Sequence, residues 1–338
     1  MTGASVRYRA FGKTDWNVSE IGFGGARIGG LLAQDGGRAT SLRTLAAALD
    51  AGINFYDTAD MYSQGESEIL IGNAFRKARD KVLIATKGGY CIPAGKKIIQ
   101  FVKPFAKPII RALKIRRMPA ASGIGGSIPQ NFSPGYIRNA AEASLRRLRS
   151  DYIDLYQMHS PSREVLRSSQ FEDTLGELGK LKSEGKIRQY GIALDSVHDA
   201  PHCFDLQGIS SLQLPFGILD MEALDGVFEE TSKRQLGIIA RGCFAGGALK
   251  GSLTEADLQA SEPKWERVLR LRRIAEKLGR SPIEIALQFS LREPRIGVNI
   301  IGMRTPAHLA SNFQHYSSRP LSDEEFQKLL TDVSAVGV

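Results

Sequence analysis

A closed (β/α)8 barrel of the TIM type is the fold class the sequence predicts, on three observations. Short runs rich in β-branched and aromatic residues alternate with amphipathic stretches along the 338 residues, the pattern of βα units that build a parallel sheet. The amphipathic stretches open on helix-start signals. Polar loops carrying ionisable groups follow the apolar runs, which is where parallel α/β proteins place their chemistry.

The first element precedes the barrel. Arg7–Phe11 and Asn17–Glu20 flank a Gly12-Lys13-Thr14-Asp15 turn signal and predict a β-hairpin. Eight strand candidates follow: Ile21–Phe23, Asn54–Tyr56, Val82–Ala85, Ile153–Gln157, Gln189–Ala193, Ser211–Leu214, Gly237–Ala240 and Asn299–Ile301. Helices are expected after Thr40, over Leu42–Leu49, after Ser133-Pro134, over Ile137–Leu148, and after Ser281-Pro282, over Ile283–Leu291. Each start places a capping hydroxyl before the helix or a proline in its first turn. Eight strands with intervening helices favour a closed barrel over an open doubly wound sheet. No internal repeat or linker divides the chain, so residues 1–338 are expected to form a single domain.

Composition narrows the function class. Hydrophobic residues at 42% and charged residues at 24% suit a globular protein with a large core and argue against general disorder. Met1–Ala10 lacks the apolar run of a signal peptide, and no segment approaches the roughly 18 continuous apolar residues of a membrane helix. A cytoplasmic location without a membrane span is the expectation. Cys91, Cys203 and Cys243 are widely spaced and read as free thiols. The histidines show no ligand spacing, so no metal site is expected.

The net charge of +9 has a local origin. Between Tyr90 and Phe132 stand Lys96, Lys97, Lys103, Lys107, Arg111, Lys114, Arg116 and Arg117, with no acidic residue among them. This long insertion follows the third barrel strand, so it is expected to hang over the barrel mouth. Ile98, Val102, Phe105, Ile109 and Leu113 recur at helical spacing, although Pro104 and Pro108 would interrupt a helix. Three readings stand: a solvated loop, a lid that recruits an anionic substrate, or a membrane-surface or nucleic-acid contact. The absence of paired stacking aromatics weakens the nucleic-acid version.

The segment Asn54-Phe55-Tyr56-Asp57-Thr58-Ala59-Asp60-Met61-Tyr62 carries the densest chemistry. Asp57 ends the second strand, Tyr62 lies in its loop, Lys87 ends the third strand and His159 ends the fourth. Any one of them has an ordinary structural explanation, as a loop cap, a rim aromatic, a solvated strand end or a satisfied histidine. Their placement at successive strand ends points instead to a site. The set suits carbonyl reduction. Tyrosine, with a pKa of roughly 10, donates a proton at neutral pH. Lys87 would lower that value, Asp57 would keep Lys87 charged, and His159 would donate a hydrogen bond to the carbonyl oxygen.

Several ordered motifs together resemble the aldo-keto reductases. They are Asp57 to Glu68, Ile84-Ala85-Thr86-Lys87, Ser144 to Leu148 leading into Asp151 to Pro161, and Gly185 to Ile192. The resemblance implies a barrel plugged at its base by the hairpin and a catalytic tetrad of Asp57, Tyr62, Lys87 and His159, with Tyr62 as general acid. Tyr90, Cys91 and Ser160 then line the substrate pocket.

No G-x-G-x-x-G stands in a dinucleotide-fold context, so the cofactor must be held differently. Ile300-Ile301-Gly302-Met303-Arg304-Thr305-Pro306 offers a strand end, an arginine and a helix N-terminus, an anion site of the kind barrels form there. It resembles the family segment that holds the adenosine phosphate, and Arg304 favours NADP(H) over NAD. Asn312 matches an adenine-contacting asparagine, and His308 stands where Gln or Glu is common. Gln213 matches the nicotinamide-amide contact, while Gly24, Arg241, Gly242, Gly247 and Leu249 complete the expected cofactor set. Two departures stand out. Ala193-Leu194 replaces a Ser or Ser-Asn after the fifth strand, and Gly242-Cys243-Phe244 replaces Ser-Pro-Leu after the seventh.

The expected function is NADP(H)-dependent reduction of an aldehyde or ketone, or the reverse oxidation, on a small substrate that is anionic or sugar-like. Two alternatives stay open: a cofactor-binding regulatory subunit with little turnover, and an epimerase that uses tightly held NADP without net redox.

Overall fold

Eight parallel strands close into a barrel in which each strand hydrogen-bonds to the next in sequence and the last returns to the first. The computed structural model describes residues 6–29, 37–91, 128–249, 253–261 and 264–334. The eight basic residues of the long insertion, and its apolar positions from Ile98 to Leu113, lie outside these described residues.

A hairpin of β1 (Tyr8–Ala10) and β2 (Asn17–Ser19) precedes the barrel. The barrel consists of β3 (Ile21–Gly24), β4 (Phe55–Asp57), β5 (Leu83–Gly88), β6 (Ile153–His159), β7 (Ile187–Ala193), β8 (Ser211–Pro215), β9 (Gly237–Arg241) and β10 (Val298–Gly302). Every predicted strand is present. β5 and β6 run further towards the rim than the sequence suggested, which carries Lys87 and His159 inside strands. Burial explains the extension: β6 is buried along its whole length, so its polar members sit where regular hydrogen bonding satisfies the backbone.

The helix starts fared unevenly. Ser281 caps the helix Pro282–Arg292 by accepting from the Glu284 amide at 3.1 Å. Ser133 stands at the cap position of Pro134–Leu148 without a side-chain cap bond, and proline alone fits the first turn there. Thr40 is inside the helix Gly37–Asp50 rather than before it, where its carbonyl accepts from the Thr44 hydroxyl at 2.8 Å.

The N-terminal end of the barrel is sealed by apolar packing. Phe11, Trp16 and Val18 of the hairpin pack on Phe55, Ala85, Leu155, Ile239 and Val298 from the barrel interior. Gly237 makes room for this plug: a Cβ there would lie 2.6 Å from the Phe11 ring. Charge surrounds the plug in paired form. The buried Glu20 carboxylate accepts from Arg7 and Arg9 at 2.8 Å each and from the Tyr316 hydroxyl at 3.0 Å. Arg9 also donates to the Leu291, Glu293 and Ile296 carbonyls, tying the hairpin to the segment that leads into β10.

Candidate active site

The opposite, C-terminal rim collects the predicted side chains because the strands end there in register. Gly24 pairs with Asp57 on one side and Gly302 on the other, Lys87 pairs with Gln157, His159 with Ala193, and Ala193 with Gln213. Arg241 closes the circle between Pro215 and Ile300.

At its centre is a buried ion pair. Lys87 is 1% exposed, and its Nζ donates to Asp57 Oδ1 at 2.6 Å and to the Thr58 carbonyl at 2.9 Å. Burial pulls the Lys87 pKa down, but the Asp57 carboxylate outweighs it and holds the ammonium above the ordinary lysine range. Gln213 Nε2 donates to the same Asp57 oxygen at 2.9 Å, so the carboxylate is anchored from β8 as well as β5.

Tyr62 sits in the turn after β4, with the Lys87 ammonium 5.1 Å from its ring centroid. The turn is tight: Ser63 and Gln64 have φ of 49° and 60°, a left-handed conformation that carries the chain from Tyr62 into the helix Glu66–Phe75. The sequence expectation was that Lys87 lowers the phenol's pKa. Burial outweighs it, and the Tyr62 hydroxyl stands above 10.0 with Lys87 as the main opposing influence. Desolvation of the phenolate therefore decides the direction.

His159 meets both tyrosines edge-on, with ring centroids 5.8 Å from Tyr62 and 4.9 Å from Tyr90. Burial, then Lys87 and Arg241, push its pKa down to about 3. The ring is neutral at physiological pH, so it can donate through one nitrogen only.

The pocket wall continues through the described ends of the insertion. Tyr90 and Gln130 form an antiparallel bridge, and the Cys91 amide donates to the Pro129 carbonyl at 2.7 Å. Ser160 follows His159 in a left-handed conformation with φ of 54°. Gln130, which sequence reasoning missed, donates to the His159 and Ser160 carbonyls at 3.0 Å each and locks this corner. Only the fold brings it there. Asp195 is a second residue missed: it accepts from Arg241 at 2.8 Å, bridging the ends of β7 and β9, while the same guanidinium donates to the Leu194 carbonyl at 2.8 Å.

Behind Tyr62 lies a buried acidic pair. Asp60 is buried and its pKa is raised to about 7 by burial and by Glu68. Glu68, also buried, accepts from Thr86 at 2.6 Å and from Arg147.

The remaining predicted residues fall along the rim from β8 to β10. Gln213 Oε1 is a buried acceptor with no partner among the described residues, a fit for the N–H2 of a carboxamide. Gly242 and Gly247 lie in the loop after β9 and Leu249 is buried beneath it. Gly302 leaves open space where a side chain would stand. Thr305 caps the helix Pro306–Tyr316 by accepting from the His308 amide at 3.2 Å, and Arg304 immediately precedes it. Asn312 donates to the Gly302 carbonyl at 3.2 Å, pinning the turn between β10 and this helix. Open backbone, a helix N-terminus and an arginine suit a phosphate. Together with the free Gln213 acceptor, they fit a nicotinamide dinucleotide.

Among the described residues, no group of three or more His, Cys, Asp or Glu is placed to hold a metal ion, and no helix is long and apolar enough to cross a membrane. Cys203 and Cys243 are buried free thiols and Cys91 is partly buried.

Comparison with known proteins places this arrangement in context. The model of the Aldo/keto reductase family matches residues 20–331. The uncharacterized oxidoreductase YqkF of Bacillus subtilis (strain 168) is 29% identical over 336 residues, covering 96% of this chain and 95% of that protein. The aldo-keto reductase YhdN of the same organism is 27% identical over 322 residues, covering 90% and 87%. Among solved structures, the holo form of aldo-keto reductase AKR11C1 from Bacillus halodurans matches with a TM-score of 0.77 at 26% identity, over 98% of this chain and 97% of that one. The glycerol dehydrogenase AKR11B4 from Gluconobacter oxydans shares the fold, with a TM-score of 0.73 at 24% identity over 98% and 97%.

Proposed function

The chain belongs to the aldo/keto reductase family, whose chemistry is NAD(P)H-dependent oxidoreduction of carbonyls, and on that premise we propose that it reduces an aldehyde or ketone with NADP(H), using Tyr62 as the proton donor. The observation that carries this reading is the buried Lys87–Asp57 pair, 2.6 Å apart, beneath the Tyr62 ring and beside the neutral His159.

Each residue has a distinct task. His159 donates a hydrogen bond to the carbonyl oxygen and steers it towards Tyr62. The Tyr62 hydroxyl, kept protonated by its burial, gives its proton to the oxygen as negative charge develops there. Lys87 then faces a phenolate rather than a phenol, and its fixed positive charge stabilises that product. Asp57, held by Lys87 and Gln213, keeps the ammonium aimed and charged. When bound, the nicotinamide cofactor supplies the hydride. Gln213 would hold its carboxamide, the segment Gly302 to Thr305 its phosphate, and Asn312 and His308 its adenine side, with Gly24, Arg241, Gly242, Gly247 and Leu249 along its length. Arg304 favours the 2′-phosphate of NADP(H). Tyr90, Cys91 and Ser160 line the substrate side, and the basic insertion that begins there suits an anionic or sugar-like carbonyl.

The test is steady-state NADPH consumption with a reactive aromatic aldehyde. Tyr62→Phe is expected to lower kcat by about 10²- to 10⁴-fold while the Kd for NADPH stays within twofold of the parent. A variant that retains the parental rate would remove Tyr62 from the proton-donor role.

A further inference from the structure

Beneath the rim lies a second set of polar atoms that the proposed chemistry does not use. Gln157 stands two residues before His159 on β6, so the two side chains face the same way and their Cα atoms lie about 6.6 Å apart. Gln157 and Ser211 are both fully buried. Among the described residues, neither Nε2 nor Oε1 of Gln157, nor Oγ of Ser211, nor Nδ1 of His159 has a hydrogen-bond partner.

The sheet register puts these atoms together. Gln157 pairs with Gly191, and Gly191 pairs with Ser211. Gly191 presents no side chain, and a Cβ there would lie 2.3 Å from Ser211 Oγ. Gln157 and Ser211 therefore flank a bare strand, one step below His159. The other neighbour of Gln157 in register is Lys87, whose ammonium is committed to Asp57 and the Thr58 carbonyl. Buried polar atoms that find no protein partner are satisfied by ordered water, and a buried water makes about three hydrogen bonds.

We propose that Gln157 and Ser211 bind a buried water that donates to Nδ1 of His159, making Gln157 a positioning residue that fixes the imidazole tautomer. A single water spans two hydrogen bonds of about 2.8 Å each, a reach that suits side chains two residues apart on one strand. With Nδ1 accepting, the one proton of the neutral ring sits on Nε2, the nitrogen left to meet a carbonyl oxygen. This inference rests on the reading of His159 as the carbonyl-orienting group.

The experiment is 15N NMR of histidine-labelled protein without cofactor, on the parent, Gln157→Leu, Gln157→Asn and Ser211→Ala, alongside aldehyde kinetics. The parent is expected to hold His159 in the Nε2–H form. Gln157→Leu should shift it towards Nδ1–H and lower kcat about tenfold, well short of the loss of a general acid. Ser211→Ala should shift it less in the same direction, and Gln157→Asn should restore part of the parental signal. Should Gln157→Leu fail to fold, Ser211→Ala carries the readout. An unchanged tautomer in every folded variant overturns the water site and leaves the Tyr62→Phe result standing. A shifted tautomer with unchanged kcat supports the water site and overturns the role given to His159.

Discussion

The two ends of the barrel differ in how they hold buried charge. At the base, the interior is apolar apart from the Trp16 indole N–H, which finds no acceptor among the described residues, and the nearby Glu20 carboxylate is saturated by Arg7, Arg9 and Tyr316. At the rim, Lys87, Asp57, Asp60 and His159 are buried with polar atoms left over: Asp60 Oδ1, His159 Nδ1 and Gln213 Oε1 have no partner among the described residues. The contrast separates what holds the fold from the proposed site. Unsatisfied buried groups destabilise a protein, and a cluster of them that includes ionisable side chains marks a candidate ligand site.

The strongest way to sharpen this contrast is at the base. Phe11 is fully buried, stacking on Trp16 at 5.9 Å and packing on Phe55 at 5.8 Å. Phe11→Ala should cost about 3–5 kcal/mol of unfolding free energy in urea while the KM values for aldehyde and cofactor hold within about twofold. A large KM change would mean that the plug shapes the site and that the two ends are not separable.

The rim should respond in the reverse sense. Asp60 has a folded pKa of about 7 against 3.8 for a free carboxyl, through burial and then Glu68. Its stabilising contribution is complete below pH 3.8 and is lost as pH rises through 7. Asp60→Asn should therefore stabilise the protein by on the order of 2 kcal/mol at pH 8, a gain that disappears towards pH 4. Urea midpoints across that range test it, and a variant less stable than the parent at pH 8 would show that the carboxylate is compensated.

The smallest effect concerns pH and rate. Tyr62, the proposed proton donor, has its pKa raised above 10.0 by burial, and His159 is neutral above about pH 3. The kcat for reduction should thus be level between about pH 6 and 9, since loss of the donor comes only at higher pH. A limb near the ordinary histidine value of about 6.5 would show that His159 ionises in the working enzyme.

The barrel was legible in the sequence because its strands are short apolar runs separated by amphipathic stretches, with helix-start signals at Thr40, Ser133-Pro134 and Ser281-Pro282. The hairpin was legible for the same reason. Asp57, Tyr62, Lys87 and His159 were legible as candidates because strand ends are readable and the rim is where strands end. Gln130 and Asp195 were not, because each matters through a contact with a residue distant in sequence: Gln130 with the His159 carbonyl, Asp195 with Arg241. The net direction of the Tyr62 shift was not legible for a related reason, although Lys87 does act to lower it. A neighbouring cation can be guessed from spacing, but desolvation depends on everything packed around the ring.

What the sequence determined alone was therefore periodic or local: strand order, the hairpin turn, the proline and hydroxyl starts, the concentration of basic charge between Tyr90 and Phe132, and the types of side chain available at each strand end. The tertiary structure decided which of those side chains share a dielectric environment. Closing the sheet set Lys87 2.6 Å from Asp57, anchored that carboxylate on Gln213 and left Gln157 and Ser211 on either side of a bare glycine. Hydrogen bonds and ionisation depend on distance and burial, and both are fixed only when the barrel closes.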